Sequence, residues 1–476
     1  MRPHPSTPRR FSFVVASLLL TMLATGSGTS RALAALHHTR PTTTPLTRWL
    51  NYHLNAAHTG DDTTEPSFAN LGAAWTAGPV DGALFGEPLV YGNNIIVGTE
   101  NDSLYSFGAA AGKQHWHVSI GTPRTSNFPC GNINPLGITG TPVIDGGYLY
   151  AVAEVEQPVG TYRFHLAKVN PGTGAVVYNT DITPTGMDAN TQQQRSALAV
   201  SKGNVIVAWG GLDGDCRSYH GYVESVSESS GAEVAQWNDT ASDNAGGIWG
   251  ASGPVVGSLG NMYVTTGNGS STNINAYDYS DSVVRLSPTM SVLSFFAPGP
   301  PQQWTYLNSS DTDLASVGPV ALSDGLIFAI GKGGRGYLLN PTKLPSNSNP
   351  GGGENFSAQV CKRTHDAAFS GLAAAGNTIY VPCVDGIAAV MVDSLKAFHT
   401  LWYSTSGSSA PIVAGGLVWT VNVFGGSTLY GLDPATGAVL QQLSLGATTE
   451  HFVTPSSGGG RLFIAAGDLL MAFAPH

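Results

Sequence analysis

The sequence predicts an all-β chain, an eight-bladed β-propeller of four-stranded antiparallel blades, closed by an N-terminal strand that completes the last blade. Three observations predict it. A short unit recurs: Leu429-Tyr-Gly-Leu-Asp-Pro-Ala-Thr-Gly-Ala-Val-Leu440 reads as strand, tight turn and strand. Its Asp bonds its own backbone, its Pro fixes φ and its Gly accepts positive φ. His165 to Gly174 repeats the unit closely, while Leu104 to Gly108 with Gly112 and Trp116, and Tyr222 to Val226 with Gly231 and Trp237, repeat it loosely. Second, short apolar strands follow turn signals at a period of roughly 40–65 residues, as in propeller blades. Third, the chain stops after Leu469-Leu-Met-Ala-Phe473 with the last blade one strand short. Leu71-Gly-Ala-Ala-Trp-Thr76, which resembles the outer strand His115-Trp-His-Val118, can supply that strand.

In chain order, the first 34 residues read as a secretory signal. Arg2, Arg9 and Arg10 make a basic start, Phe11 to Leu23 is a short apolar run, and Ala32-Leu33-Ala34 is a small-residue cleavage site. An uncleaved anchor is the alternative. Arg9-Arg10 raises a twin-arginine route, which Phe11-Ser12-Phe13 fits poorly. Residues 35–48, rich in Thr and Pro, read as an extended lead-in, with His37-His38 a solvated pair rather than a metal site. Residues 49–476 form the single propeller domain. The expected address is secreted, extracellular or cell envelope, with no membrane span once the signal is removed.

Within the domain, Tyr52, Ala56 and Thr59 fall on one helical face, which suggests a short helix or wound loop. First strands open at Glu87-Pro88, Thr141-Pro142, Ser196-Ala197, Gly253-Pro254, Gly318-Pro319, Ser370-Gly371, Ala410-Pro411 and Thr454-Pro455. Second strands read Ile95-Ile-Val97, Tyr148-Leu-Tyr150, Val205-Ile-Val207, Met262-Tyr-Val264, Leu326-Ile-Phe328, Thr378-Ile-Tyr380, Leu417-Val-Trp419 and Leu462-Phe-Ile464, which fixes eight blades. A sandwich would also use short apolar runs, but not at this period.

Composition narrows the function classes. Charged residues are only 11% of the chain and the net charge is −10, which disfavours nucleic acid or an anionic membrane as partner. Four cysteines, Cys130, Cys216, Cys361 and Cys383, lack metal-type spacing, and in an exported chain an even count favours two disulfides. Three pairings are open. Cys130–Cys216 and Cys361–Cys383 are preferred because each pair falls on neighbouring blades.

Insertions concentrate in two loop classes that share one propeller face. Between blades they are His117 to Gly140, Asp181 to Arg195, Asn238 to Ser252, Ala297 to Val317 and Thr342 to Phe369. Between second and third strands they are Glu154 to Phe164, Gly210 to Gly221 and Gly267 to Asp281. Blades one to five therefore build a lopsided canopy, and long ordered loops in a compact domain mark function. The polar residues expected at the channel or canopy are Glu100, Asn101, Asp102, Asn132, Asn134, Glu154, Gln194, Arg195, His220, Trp249, Asn268, Lys332, Asp385 and His451. Together they suggest a small-molecule pocket, with Arg195 or Lys332 holding an anion and Trp249 offering a stacking face. Gly331-Lys-Gly-Gly-Arg-Gly336 lies between two strands and reads as a hairpin rather than an anion loop. Asp278 and Asp281 lack a calcium-loop frame. No hydrolase, zinc-protease or phosphate-loop motif occurs.

The opening Trp49-x-x-Tyr52-His53-x-x-x-Ala57-x-Thr59-Gly60, followed by the eight-fold repeat, resembles secreted bacterial proteins with PQQ-like β-propeller repeats, in the quinoprotein alcohol dehydrogenase-like superfamily. The resemblance runs from Trp49 to Phe473. It implies a channel-mouth site for PQQ, stacked between a Trp and a disulfide of adjacent cysteines. It also implies a calcium ion held by Glu, Asn and Asp, with an Asp as base. This chain has no adjacent cysteines, no haem-attachment motif and no motif on which those roles can be placed, so no catalytic residue is carried over. The same repeat also serves as a non-enzymatic scaffold in the lipoprotein that assists outer-membrane barrel assembly. The expectation is a monomeric binding or scaffold module, taking a protein partner or small molecule at the loop-rich face. A divergent PQQ-dependent dehydrogenase for an alcohol, sugar or polymer is the alternative, with PQQ and Ca²⁺ as its cofactors.

Overall fold

The computed structural model describes residues 48–158, 160–345 and 351–476. The expected signal, His37-His38 and all but the last residue of the lead-in lie outside the described residues. The rest forms eight sheets, each with a four-stranded antiparallel core in consecutive order. Blade one comprises Leu89–Tyr91, Asn94–Gly98, Ser103–Gly108 and Gln114–Ser119. Blades two to eight occupy residues 143–181, 199–238, 255–296, 320–359, 373–404, 412–444 and 456–475. The last of these is completed by Leu71–Ala77, which pairs antiparallel with Leu469–Pro475 from Leu71↔Pro475 to Ala77↔Leu470. The chain's two ends thus share one sheet, and the ring has no internal edge.

The recurring turn glycine and outer-strand indole lock three pairs of neighbouring blades together. Trp75, on the outer strand of blade eight, donates its indole N–H to Ala109 in the turn of blade one. Trp116 does the same to Pro171, and Trp402 to Pro434. In each turn a glycine with positive φ lies flat on that indole. A Cβ at Gly112, Gly174 or Gly437 would come within 2.4–2.8 Å of the ring. The glycine is therefore required twice over, by its backbone conformation and by the neighbour's ring. Each indole hydrogen bond contributes about 1 kcal/mol net, beyond the area the ring buries.

Residues 49–62 differ from the helix or wound loop that the spacing suggested. Only Tyr52–Leu54 makes a 3-10 turn, with His53 at φ 48°. The remainder is a strap across the channel, whose carbonyls accept from first strands around the ring. Leu50 accepts from Ile144, Ala56 from Val256, Ala57 from Ala321, Thr59 from Ala374 and Gly60 from Val413. Trp49 pairs with Val90, Asp61–Asp62 runs parallel to Ile412–Ala414, and Asp62 accepts from Ser457. Helical bonding lost because many backbone carbonyls here bond to blades, while Leu54, Asn55, His58 and Gly60 donate within the strap. The side chains fill the channel. Tyr52, His53 and His58 are buried, and the Glu87 carboxylate accepts the His53 N–H.

One expected between-blade insertion is partly strand, since Phe356–Gln359 pairs with Arg335–Leu339 as the outer strand of blade five. A long third-to-fourth-strand connection displaced it from the regular spacing. The expected insertion Glu154 to Phe164 is mostly strand too, because Tyr148–Glu156 and Tyr162–Val169 run on as a long hairpin paired up to Glu156↔Tyr162. The other long segments are mainly loops, with a short helix at Trp304–Ser309, a 3-10 turn at Leu314–Ser316 and a short strand at Gln192–Gln193. Both expected disulfides form, Cys130–Cys216 and Cys361–Cys383, with Cα separations of 6.0 and 5.5 Å.

The strap makes a test of ring cohesion. The His53 Nδ1–H donates to the Leu372 carbonyl at 2.7 Å, and Nε2 lies 3.2 Å from Thr454 Oγ1, so one ring joins blades six and eight. His53→Ala is expected to cost about 2–4 kcal/mol, a cavity plus orphaned polar partners, and to lower Tm by several degrees in calorimetry. Leu395→Ala, at a position 86% exposed, should stay within about 0.5 kcal/mol of the parent. Equal Tm for the two variants would contradict the role given to the strap.

Candidate functional site

The first strands run from the canopy face toward the strap, so the channel is closed at one end and open under the loops. At the open end lies a cavity of ≈ 120 Å³, lined among others by Arg195, Asp215, Trp249, Asp313, Lys332 and Phe452. Local sequence places each of these. Trp249 stands in a slot of three glycines. Cβ atoms at Gly210, Gly247 and Gly267 would lie 2.9, 2.9 and 2.7 Å from its ring, and Tyr219 meets it edge-on with centroids 5.6 Å apart. The indole is thereby held in one orientation and lines the cavity.

Arg195 enters from the segment that opens blade three. Its Nη2 donates to His451 Nε2 at 3.3 Å, and its guanidinium lies 5.1 Å from the Phe452 ring centroid. No carboxylate ion-pairs with it among the described residues. Burial lowers its pKa while Asp213 and Glu100 oppose the shift. His451 is pushed down to about 4 by burial and by Arg195, which keeps Nε2 free to accept. Lys332 is placed differently from the anion holder suggested by the sequence. Its ammonium pairs with Asp313 at 2.5 Å and Asp311 at 2.9 Å. Burial works against that charge, and the two carboxylates outweigh it and raise the pKa. Arg195 is thus the cation of the cavity without a carboxylate ion pair among the described residues, although Asp213 and Asp215 also line the cavity.

The canopy is ordered from within. Ile133, Leu136 and Leu212 form a small apolar cluster with Phe85 and Phe128 packed on it. The Cys130–Cys216 bond ties the same two loops, and a Cβ at Gly214, which lines the cavity, would sit 3.7 Å from Cys130 Sγ. A disulfide therefore stands behind the cavity lining even though its two cysteines are far apart in sequence.

Of the residues singled out from sequence, Arg195, Trp249, Lys332 and His451 come together here. Asn268 is adjacent, donating its backbone N–H to Asp313 and its side chain to Asp311. Glu100, Asp102 and Glu154 instead form a second, buried cluster, where Arg124 pairs with Glu154 at 3.0 Å and Gly137 N–H donates to Glu100. Asn101 bonds Asp81, His220 bonds Thr240, Asp385 accepts from the Tyr403 hydroxyl, and Asn132 is exposed. Gln194 is buried and donates to Ala208, Asn134 is exposed, and Gly331 to Gly336 is the expected hairpin turn. Sequence reasoning missed Asp213, Asp215, Asp311, Asp313, Arg124, Phe369 and Phe452. All but Phe452 lie in the long loops already marked, and the Asp311-Thr-Asp313 and Asp213-Gly-Asp215 pairs were the available signal. Among the described residues no three His, Cys, Asp or Glu side chains are grouped to hold a metal ion.

Residues 72–209 match the family model of the outer membrane protein assembly factor BamB. No curated protein sequence matches the chain. Solved structures share its fold. Quinohemoprotein alcohol dehydrogenase from Comamonas testosteroni aligns at TM-score 0.67 and 14% identity, over 90% of this chain and 80% of that one. A europium-containing methanol dehydrogenase aligns at 0.65 and 14%, over 90% and 98%. BamB from Moraxella catarrhalis aligns at 0.55 and 14%, over 85% and 98%. The fold is that of PQQ-like repeat β-propellers, which these relatives use for both redox chemistry and assembly.

The buried carboxylates give a pH test. Burial, then Glu100 and Glu154, push Asp102 up to about 9. Burial pushes Glu100 to about 7, and it carries Glu154 to about 8 against the pull of Arg124. A carboxyl raised in the folded state holds a proton that the unfolded chain has released above about pH 4. Stability therefore falls as pH rises from there toward each folded pKa. Asp102→Asn removes one such group, so its Tm should exceed the parent's by a margin that widens from pH 5 to pH 9. A pH-independent margin in thermal melts would contradict the assignment.

Proposed function

We propose that the chain is an exported propeller whose canopy-roofed channel mouth binds a small, planar, negatively charged ligand. The observation that carries this reading is the pairing of Arg195, a half-buried cation without a carboxylate ion pair among the described residues, with the slotted Trp249 ring in one cavity. A fixed indole offers a stacking face, and a desolvated guanidinium selects a carboxylate. The strap seals the far end, so the ligand enters and leaves under the canopy. Two disulfides suit an extracellular or envelope setting, and no helix among the described residues is long and apolar enough to cross a membrane. The protein acts as a monomer, and the canopy is also the face for a protein partner, the use to which the BamB likeness points.

A second reading rests on Lys332 and Asp313, an ion pair at the edge of the same cavity. It makes the chain a quinone-dependent dehydrogenase for an alcohol, sugar or polymer, as the quinohemoprotein likeness suggests. PQQ is a flat polycarboxylate, so Trp249 and Arg195 fit it, and when bound it supplies two-electron acceptance. Asp313, held by Lys332 and by the Asn268 N–H, is then the carboxylate placed to take a substrate proton.

The test is a titration of the mature protein with PQQ and with a panel of aromatic di- and tricarboxylates, with and without Ca²⁺. Tryptophan fluorescence and thermal shift report binding. Saturable binding that weakens at least tenfold, about 1.4 kcal/mol, in both Arg195→Gln and Trp249→Ala is expected. Alcohol-dependent dye reduction by the PQQ-loaded protein would select the second reading. A flat response to PQQ removes that reading, and a flat response to the whole panel removes the proposal.

A further inference from the structure

A second cleft opens on the opposite face, between blades four and five, with a volume of ≈ 360 Å³. Its walls are the turn around Leu259, the turn around Leu322, and Pro341 from the long connection of blade five. Strap residue Ala57 closes one end. The lining is largely apolar or hydroxylic, with Val256, Ile327, Ser258 and Ser323 among it, and it includes a single charged residue, Arg285.

Arg285 is unusual in a chain of net charge −10. It forms no ion pair among the described residues. Its Nη1 reaches only the Pro341 carbonyl, at 3.5 Å, its Nη2 is accessible and makes no hydrogen bond among the described residues, and its Nε is buried. Arg285 and Tyr263 face each other in register across neighbouring strands, and both line the cleft. A half-buried guanidinium with an accessible Nη2 that makes no hydrogen bond among the described residues, in a cleft without an acidic side chain, has the form of a receptor for one carboxylate. A doubly charged phosphate would call for a second cation, and the cleft has none.

We infer that this cleft between blades four and five is a second ligand site, which takes a small organic monocarboxylate with its acid group on Arg285 and its apolar body along Leu259 and Leu322. The site is independent of the channel mouth, which lies under the canopy on the other face.

Phenylacetate serves as the probe, with phenylacetamide as its uncharged counterpart and inorganic phosphate as the competing anion. Saturation-transfer NMR and calorimetry on the mature protein report binding. The expected result is saturable phenylacetate binding, at least tenfold tighter than phenylacetamide or phosphate. Arg285→Gln should weaken it at least tenfold and Arg195→Gln should leave it unchanged. Leu259→Glu places an acid at a position 71% exposed, where folding is not at stake, and should weaken binding to a similar degree. The inference is overturned if phenylacetate does not saturate the parent protein, if the amide binds equally well, or if Arg195→Gln rather than Arg285→Gln and Leu259→Glu removes binding. Failure at the channel mouth leaves these results untouched, so the two sites are judged separately.

Discussion

The pairing of Leu71–Ala77 with Leu469–Pro475 is the constraint on which the rest depends. Eight twisted sheets arranged radially are stable only if the ring closes, because an open ring would expose strand edges and the faces that adjacent blades bury against each other. Closure by a strand from the far end of the chain makes the first and last blades cooperate. The indole-on-glycine locks then repeat this coupling locally between neighbouring blades. The strap adds a third level, since residues 49–62 hydrogen-bond to first strands of blades on every side of the channel.

This closure has a functional consequence. A channel filled from one end by Tyr52, His53 and His58 is a cup rather than a tunnel, and its rim is where the long loops lie. The loops of blades one to five carry their own small core and a disulfide, so the cup has a rigid roof on one side. The opposite side carries Phe369, Phe424 and Phe452, whose rings meet at centroid distances of 5.4–6.3 Å. Charge follows the same asymmetry. Lys332 is neutralised by aspartates from the loop after blade four, while Arg195 rests on a neutral His451 without a carboxylate ion pair among the described residues.

Much of the fold is legible in the sequence because a blade repeats its own physics. Asp433, Pro434 and Gly437 specify a turn wherever they recur, and Trp75 and Trp116 mark outer strands because an indole must reach the next turn. Both disulfides form the pairing that blade adjacency favoured among three. The strap is not legible, since Tyr52, Ala56 and Thr59 satisfy helical spacing, and only the partners offered by seven other segments make extended backbone cheaper. The site is half legible. Arg195 and Trp249 announce themselves as a cation and an aromatic in polar loops. The pairing of Lys332 with Asp313, 19 residues away across a blade boundary, depends on loop paths that no local pattern encodes. Glu100, Asp102 and Glu154 read equally well as pocket residues, yet they turn inward beneath Gly121 and Gly137, where a Cβ would strike Asp102.

The central claim is that the channel mouth, under the canopy and above the strap, is the place where a planar anion binds. Hydrogen–deuterium exchange of the protein, with and without a saturating aromatic polycarboxylate, tests it most directly. The account predicts slowed exchange in peptides that contain Arg195, residues 210–216, Trp249, residues 311–333 and Phe452, with the cleft turn at residues 257–261 unchanged. Protection confined to the strap face or to outer strands, or a ligand that binds without protecting these loops, would contradict it.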